Sequence, residues 1–448
     1  MKTVAVVGAG PAGLFAAYEL ARDANLRVIV FDQGKDALQR RRGDPFDLLH
    51  GMGGSGPFSD GKLNFHPQIG GDFSNLLGED IALKLMTRIE QVFSHYDVQV
   101  ISTDEEKTRE LERKAVRAGI KFLPIRQAHV GSDHLVELIQ RFGGDLVKSG
   151  VEFRLETWVE DVVIEETGLK GLMVGERLVE ADFVLLAPGR VGCDWMRELA
   201  HKHSLGMVFN PLDVGVRVEV PAIVMEEVTR ICYDPKFYFR TPSYDDLVRT
   251  FCVSPQGFVV TETYPDYVCV NGHAFKERKS ANTNFALLVS VNLTEPVEDT
   301  IAYGISVAGM GTTLGKRKPI VQRLGDLRRY RRSTWGRLQK SSVDVEPTLK
   351  DVTPGDIAMA LPHRVFTDIL EALDLLEKVI PGVGGDPTLL YAPEIKWYGT
   401  RYKTDRSFQT EIPGLFVAGD GAGISRGIVG AAATGIIAAR GIISAAKI

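Results

Sequence analysis

Cysteine is scarce in this chain. The four cysteines, Cys193, Cys232, Cys252 and Cys269, are too scattered for a disulfide framework, and no two of them form a CxxC pair. The sequence therefore predicts a protein of a reducing compartment, the cytoplasm. It predicts neither a structural zinc site nor an iron–sulfur cluster, and we single out no metal-ligating residues.

An excess of charge of one sign is lacking as well. The 448 residues carry a formal net charge of −5, and 25% of them are charged. Such a balance gives no overall attraction to nucleic acid or to anionic lipid, so neither partner is expected. The hydrophobic share of 44% is ample for packed cores.

The two ends carry the longest apolar stretches. Glycine and proline interrupt residues 3–18, which therefore do not have the pattern of a signal peptide. Residues 427–446 are long enough to span a bilayer, but they consist largely of Gly, Ala and Ile without an aromatic side chain. They predict a closely packed, buried helix rather than a membrane anchor.

A glycine fingerprint is the strongest positive signal. The apolar run Val4 to Val7 predicts a buried strand, and Gly8, Gly10 and Gly13 follow it in GxGxxG spacing. These glycines allow a tight turn, a close approach to a pyrophosphate and close helix packing. Pro11 suits the first turn of the helix. The pattern predicts a dinucleotide held at a helix amino terminus.

An acidic residue completes the fingerprint. Asp32 follows a second apolar strand and lies 24 positions after Gly8 (32 − 8). A carboxylate at this distance accepts hydrogen bonds from ribose hydroxyls and disfavours a 2′-phosphate.

Two other glycine-rich stretches do not predict a second dinucleotide site. Residues 51–62 lack a preceding strand at the right spacing, and residues 309–315 read GxGxxxG with no acid after a second strand. We expect the loop 51–62 to lie against the phosphates and a ring of the bound dinucleotide, because a loop without side chains can approach closely. The alternative is a flexible surface loop with a solvated Lys62.

The ends of the chain share one pattern, and the middle has another. Residues 182–190 and 414–423 each predict a buried strand that runs into a glycine turn. The sequence thus predicts an α/β protein with a Rossmann-like, parallel-sheet nucleotide domain of the ββα type, built from discontinuous segments. The predicted parts are the nucleotide domain at 1–205 and 385–448, its helical insert at about 72–120, and an inserted α+β substrate domain with a mixed or antiparallel sheet at 206–384.

Three segments together resemble the glutathione-reductase-type flavoproteins: the GxGxxG, Ala187–Arg190 and Leu415–Asp420. The resemblance implies FAD as cofactor. It also implies that Asp420 contacts the ribityl chain, and that the following helix points its amino terminus at the flavin N1–O2 edge.

A narrower resemblance is to the uncharacterised FAD-dependent dehydrogenases of bacteria and archaea. It rests on residues 53–64 (GGSGPFSDGKLN), 419–427 (GDGAGISRG) and 391–394 (YAPE). The chain departs from that family at 251–257 and 271–273, which favours a different substrate or a distinct subgroup. Cys252 matches the family's first cysteine but Ser254 replaces the second, so we expect a structural Cys252.

The cofactor-binding residues predicted from these motifs are Gly8, Gly10, Pro11, Ala12, Gly13, Asp32, Gly53, Gly54, Ser59, Asp60, Gly61, Gly189, Arg190, Gly419, Asp420, Gly427 and Ile428. The candidate catalytic residues are Lys62, Arg426 and His273. Lys62 and Arg426 would place positive charge near the flavin or an anionic substrate, and His273 would donate a proton. A surface role for Arg190 and a structural one for His273 are the alternatives.

The predicted function is hydride transfer between flavin N5 and a small-molecule substrate, with an anion as one alternative. NAD(P)H bound transiently and a protein electron carrier are the candidate second partners, and the oligomeric state is open. The basic residues within 316–340, predicted to be helical, form either a solvated surface paired with carboxylates or a docking collar. The collar would make the chain an electron-relay or binding protein instead.

Overall fold

The computed structural model describes residues 1–41, 43–59, 61–131, 134–166, 168–275, 278–293, 299–339 and 345–447. The chain divides into two compact units. The first unit comprises Met1–Ile101, Ala128–Asn210 and Tyr398–Ile448, and the second comprises Ser102–Gln127 and Pro211–Trp397.

The strands are β1 (Lys2–Val7), β2 (Leu26–Phe31), β3 (Lys62–Phe65), β4 (Lys121–Leu123), β5 (Arg126–His129), β6 (Glu152–Arg154), β7 (Asp161–Glu165), β8 (Gly168–Val174), β9 (Arg177–Glu180), β10 (Phe183–Leu186), β11 (Met207–Val208), β12 (Leu212–Pro221), β13 (Lys236–Arg240), β14 (Leu247–Ser254), β15 (Phe258–Thr263), β16 (Val268–His273), β17 (Asn282–Val291), β18 (Ile320–Arg323), β19 (Thr353–Pro354), β20 (Leu389–Lys396), β21 (Arg401–Tyr402) and β22 (Leu415–Val417).

The helices are α1 (Pro11–Leu20), α2 (Pro45–Leu49), α3 (Phe73–Leu77), α4 (Glu79–His95), α5 (Glu105–Arg117), α6 (His134–Lys148), α7 (Cys193–Lys202), α8 (Ala222–Ile231), α9 (Thr300–Leu314), α10 (Leu324–Leu327), α11 (Trp335–Leu338), α12 (His363–Glu377) and α13 (Gly427–Ala446).

A five-stranded parallel sheet forms the centre of the first unit. Its strand order is β22-β10-β1-β2-β6, with Val4 paired to Phe183 on one side and to Val28 on the other. The central strands β1, β10 and β22 are largely apolar because both faces of the sheet are covered, one by α1 and α13 and the other by α7 and the three-stranded sheet β7-β8-β9. The predicted Rossmann-like fold is confirmed, and the carboxyl ends of β1, β10 and β22 lie at one edge.

Helix α13 packs against α1 at glycine. A Cβ on Gly435 would lie 2.0 Å from the carbonyl oxygen of Ala12, so only glycine allows this crossing. The helix is long and apolar enough to cross a membrane, but 67% of its most apolar window is buried within the protein. The predicted buried helix is therefore confirmed.

The second unit is built on an eight-stranded, mainly antiparallel sheet in the order β19-β18-β20-β12-β17-β14-β13-β4. Along β12 the side chains alternate between two faces. Val214, Val216 and Val218 join the apolar core under α8 and α12, whereas Arg217 and Glu219 are buried on the opposite face. The predicted mixed or antiparallel sheet is confirmed.

One detail differs from the sequence expectations. The basic segment within 316–340 is not one helix, because Ile320 and Val321 are buried and pair with β20 in strand β18. The unit boundaries lie at 210/211 and 397/398, and residues 102–127, with α5, group with the second unit. The stretch 309–315 lies at the carboxyl end of α9. This helical position agrees with the expectation that the stretch is not a nucleotide fingerprint.

A pH-dependent carboxyl pair lies in the second unit. Asp368 on α12 is fully buried and accepts a hydrogen bond from Thr241 Oγ1 (2.6 Å). Burial raises the pKa of Asp368 to about 6, with a further contribution from the neighbouring Asp246, whose own pKa is lowered by Arg364. The folded state thus holds the Asp368 proton more tightly than the unfolded state, and this stabilisation is lost as pH rises from about 4 to 6.

We expect Asp368→Asn, which mimics the protonated acid, to raise the melting temperature at pH 8 by about 2–5 °C. Below about pH 4 the difference from the wild type should vanish, because both side chains are then neutral. Thermal unfolding between pH 3.5 and 8 checks this. Asp374→Asn on the exposed side of the same helix is the control, and an equal gain at every pH would contradict the assignment.

Candidate functional site

The fingerprint turn between β1 and α1 requires its glycines. Gly8 has a φ of +104°, and a Cβ there would lie 2.2 Å from the carbonyl oxygen of Ala187. A Cβ on Gly13 would lie 1.9 Å from the carbonyl oxygen of Gly8. Gly10 occupies the N-cap and Pro11 the first turn, so no side chain caps the helix there. The amino end of α1 can therefore donate N–H groups to a ligand.

Asp32 holds three turns together. Its Oδ2 accepts the N–H of Ala9 (2.8 Å), and its Oδ1 accepts those of Gly34 and Gly51 (2.8 Å each). A carboxylate has about four lone-pair positions, so one remains for a ribose hydroxyl. The sequence predicted the ribose contact alone and missed the structural role.

The second glycine loop lies against the amino ends of α1 and α13. Gly53 donates its N–H to the carbonyl of Ala9 (2.8 Å). A Cβ on Gly54 would lie 3.1 Å from Gly10 Cα, and one on Gly56 would lie 3.7 Å from the Ile428 side chain. The structure thus brings the loop to both predicted cofactor-binding helices.

The end of this loop is held by its own hydrogen bonds. Ser59 Oγ donates to the carbonyl of Gly56 (2.7 Å) and accepts the N–H of Gly61 (3.3 Å). Lys62 is half-buried and begins β3. The predicted site residue Asp60 lies outside the described residues.

Arg40 is a site-forming residue that belongs to none of the sequence motifs. Its buried guanidinium donates to the carbonyls of Asp47 (2.8 Å), Met52 (2.7 Å) and Gly54, and it lies over the Phe58 ring at 4.8 Å. Burial lowers the pKa of Arg40 to about 10. The signal available in the sequence was its place in the Arg-rich stretch before the glycine loop.

The turns after β10 and β22 pack on each other. A Cβ on Gly421 would lie 2.4 Å from the carbonyl oxygen of Gly189. Gly419 has a φ of +79°, and a Cβ there would lie 3.1 Å from Ala12 Cβ. The predicted residues of the three strand ends are therefore brought together at one edge of the sheet.

Asp420 lies at the amino end of α13. Its Oδ1 accepts Ser425 Oγ (2.9 Å), its Oδ2 is 3.9 Å from Arg190 Nε, and the Gly427 N–H also donates to it. Burial raises the pKa of Asp420, and the positive charges of Arg190 and Arg426 partly offset that rise. The carboxylate is thus desolvated and oriented.

We expect Asp420→Asn to separate stability from cofactor binding. Because the folded pKa is raised, the stability contributed by the Asp420 proton is present at low pH and lost as pH rises through that pKa. The apo-variant should therefore be at least as stable as the wild type at pH 7. Its affinity for FAD should be about 10–100-fold weaker, since a hydrogen bond to a charged group is lost. Thermal unfolding of apoprotein and FAD titration measure the two effects, and a less stable apo-variant would contradict the assignment.

The candidate catalytic residues belong to different units. Lys62 and Arg426 lie in the first unit, where Arg426 is the N-cap of α13 and a Cβ on Gly427 would meet no atom within 4 Å. His273 lies in the second unit, paired with Phe258, and its ring meets Phe275 edge-on at 4.4 Å.

The YAPE motif of the second unit is a buried polar centre. Tyr391 Oη donates to Glu219, and Arg217 Nη1 lies 3.3 Å from Glu394 Oε1. Arg217 Nη2 also donates to the carbonyl of Cys252 (2.8 Å), which has a φ of +47°. Arg217 and Glu219 alternate with valines on β12 and belong to none of the sequence motifs.

The basic residues within 316–340 are largely paired. Arg328 pairs with Asp374 and Arg329 with Asp386. Arg323, Arg331 and Arg337 surround the buried Asp326 at 3.3–4.0 Å. These pairs favour the solvated, carboxylate-paired interpretation over a docking collar. Among the described residues, no group of three or more His, Cys, Asp or Glu side chains is placed to hold a metal ion.

Comparisons with known proteins match both units. Residues 211–396 match the model of an FAD-dependent protein, C-terminal domain-like, and residues 6–47 match that of an NAD(P)-binding Rossmann-like domain. An uncharacterized protein of Clostridium beijerinckii is 26% identical over 471 residues, covering 98% of this chain and 80% of that protein.

Solved structures show distant likeness. Glycine oxidase from Geobacillus kaustophilus is 15% identical with a TM-score of 0.39, covering 99% of this chain and 95% of that one. L-proline dehydrogenase from P. horikoshii is 12% identical with a TM-score of 0.42, covering 99% and 93%.

The residues at the sheet edge fit FAD on structural grounds. Gly8 and Gly13 leave no room for a Cβ, the amino end of α1 has no side-chain cap, and Asp32 retains an acceptor position. The match to FAD-dependent proteins agrees with this fit. The chain therefore has the fold of an FAD-dependent oxidoreductase, and FAD is its cofactor.

Proposed function

We propose that the chain transfers a hydride between FAD and an unidentified, anionic small-molecule substrate held by the second unit. One observation carries the proposal: the amino ends of α1 and α13 lie at one edge of the parallel sheet, and Asp32 and Asp420 lie at the same edge. Within this proposal the chain is a cytoplasmic flavoprotein of the glutathione-reductase type.

FAD supplies the hydride chemistry at its N5 atom. The protein binds and orients it. The N–H groups at the start of α1 would hold the pyrophosphate, and the remaining acceptor position of Asp32 would take a ribose hydroxyl. Asp420 would accept a hydrogen bond from the ribityl chain. The positive end of α13 would stabilise negative charge at the flavin N1–O2 edge.

The further cofactor contacts that we propose are Gly10, Pro11, Ala12, Gly53, Gly54, Ser59, Asp60, Gly61, Gly189, Arg190, Gly419, Gly427 and Ile428, of which Asp60 lies outside the described residues.

Three side chains are proposed for the substrate half of the reaction. Lys62 and Arg426 would supply positive charge to an anionic substrate and to the reduced cofactor. His273 would donate or accept a proton at the substrate. NAD(P)H bound transiently or a protein carrier would exchange electrons with the cofactor.

Cofactor content and photoreduction test the proposal. The purified protein should be yellow or take up FAD, and anaerobic illumination with EDTA as the electron donor should bleach it. A screen of anionic substrates should then reveal one that reduces or reoxidises the cofactor. Lys62→Met should raise KM for that substrate, with exposed Lys148→Met as the matched control. A colourless protein that cannot be reconstituted with FAD would refute the proposal.

A further inference from the structure

Arg426 is held at the amino end of α13 from two sides. Its backbone N–H donates to the carbonyl of Gly70 (2.9 Å). Its guanidinium carbon lies over the face of Tyr398, 3.1 Å from the ring centroid. A guanidinium over an aromatic face is attracted by the ring quadrupole, and this contact restricts its rotamers. Tyr398 therefore limits where the charge of Arg426 can lie.

The segment that carries Tyr398 is fixed to the Asp420 turn. Asn210 Nδ2 donates to the carbonyl of Gly399 (2.6 Å) and to that of Gly423 (2.9 Å). A Cβ on Gly399 would lie 2.7 Å from the carbonyl oxygen of Asp420, so the two backbones are in close contact. Tyr398 thus has a defined position relative to the start of α13.

Two cations act on one carboxylate at this helix end. Arg190 lies 3.9 Å from Asp420, and Arg426 also lowers the pKa of that carboxyl group. The positive charges of both side chains lie at the helix end whose dipole is also positive. Such a charge favours an anion at the amino end of α13.

We propose that Tyr398 is a positioning residue that holds the Arg426 guanidinium at the amino end of α13, where its charge favours the reduced, anionic cofactor. The inference rests on the proposed function because it assumes that this helix end faces the flavin. Tyr398 acts through Arg426, and its effect must therefore disappear when Arg426 is uncharged.

Four variants test this role: Tyr398→Leu, Tyr398→Phe, Arg426→Met and the Leu/Met double variant. The readouts are the midpoint potential of bound FAD and the dissociation constant of sulfite, whose flavin complex also carries negative charge. Tyr398→Leu should weaken sulfite binding about tenfold, equivalent to about 30 mV for a two-electron couple. Tyr398→Phe keeps the ring face and should resemble the wild type. The double variant should match Arg426→Met, and a further tenfold loss there would overturn the proposal.

A chemical readout that needs no FAD accompanies these measurements. Arg426 modification by phenylglyoxal, followed by mass spectrometry of the folded apoprotein, should be several times faster in Tyr398→Leu than in the wild type or Tyr398→Phe. Equal rates would refute the positioning role. A wild-type protein that cannot bind FAD would instead refute the proposed function, so the two failures are distinguishable.

Discussion

Asp32→Ala should abolish retention of FAD. The substitution removes the common acceptor of the N–H groups of Ala9, Gly34 and Gly51, and it removes the remaining acceptor position for a ribose hydroxyl. Hydrogen bonds to a charged group contribute about 1.5–3 kcal/mol each, so loss of the ribose contact alone weakens FAD binding by about 10–100-fold, and the loosened glycine turns weaken it further. Titration of apoprotein with FAD, followed by flavin fluorescence, measures the effect.

A graded series sharpens that result. Asp32→Asn keeps one oxygen but turns an amide N–H toward backbone donors, so its affinity should lie between those of the wild type and Asp32→Ala. Asp36→Ala is the matched control, because Asp36 accepts one N–H, that of Leu38, in a short turn nearby. Undiminished FAD affinity in Asp32→Ala would show that the glycine turns hold their shape without the carboxylate.

Arg40→Met should destabilise the first unit and release FAD together. The change leaves the carbonyls of Asp47, Met52 and Gly54 without the donors that Arg40 supplies. A buried polar group left without its hydrogen-bond partner typically costs about 1–3 kcal/mol. We expect a melting temperature lower by at least about 5 °C and a loss of FAD affinity, since the loop against α1 loses its support.

Arg40→Lys should not rescue the protein. A lysine has a single ammonium group and cannot reach three carbonyls with the planar fork of a guanidinium. Arg41→Met is the control for charge, because the neighbouring Arg41 is exposed. Equal effects of Arg40→Met and Arg41→Met would indicate an electrostatic effect of the basic stretch rather than support of the loop.

Local pattern was sufficient for the nucleotide fold. The run Val4 to Val7, the glycines after it and the acid after the second strand are close in sequence, so their geometry follows from short-range rules. The strand ends near Gly189 and Gly419 repeat the same local pattern. Parallel strands place their carboxyl ends at one edge, and the sequence could therefore predict that these distant turns meet.

The basic segment shows where local pattern misled. Arginines and lysines within 316–340 are compatible with a helix surface, but Ile320 and Val321 pair with β20. Strand pairing of this kind depends on a partner some 70 residues away, which composition does not reveal. Composition does not reveal the burial of Asp326 either. In the folded chain its carboxylate forms ion pairs with basic residues of that stretch.

By itself, the sequence determined the class of cofactor and the turns that hold it, because glycine and a spaced carboxylate act through backbone geometry within one βαβ unit. Only the tertiary structure decided what Arg40, Arg217 and Tyr398 do. Their partners are backbone carbonyls, buried carboxylates and an arginine brought close by folding. A long polar side chain is specific through its partners, and those partners are defined by the packed fold.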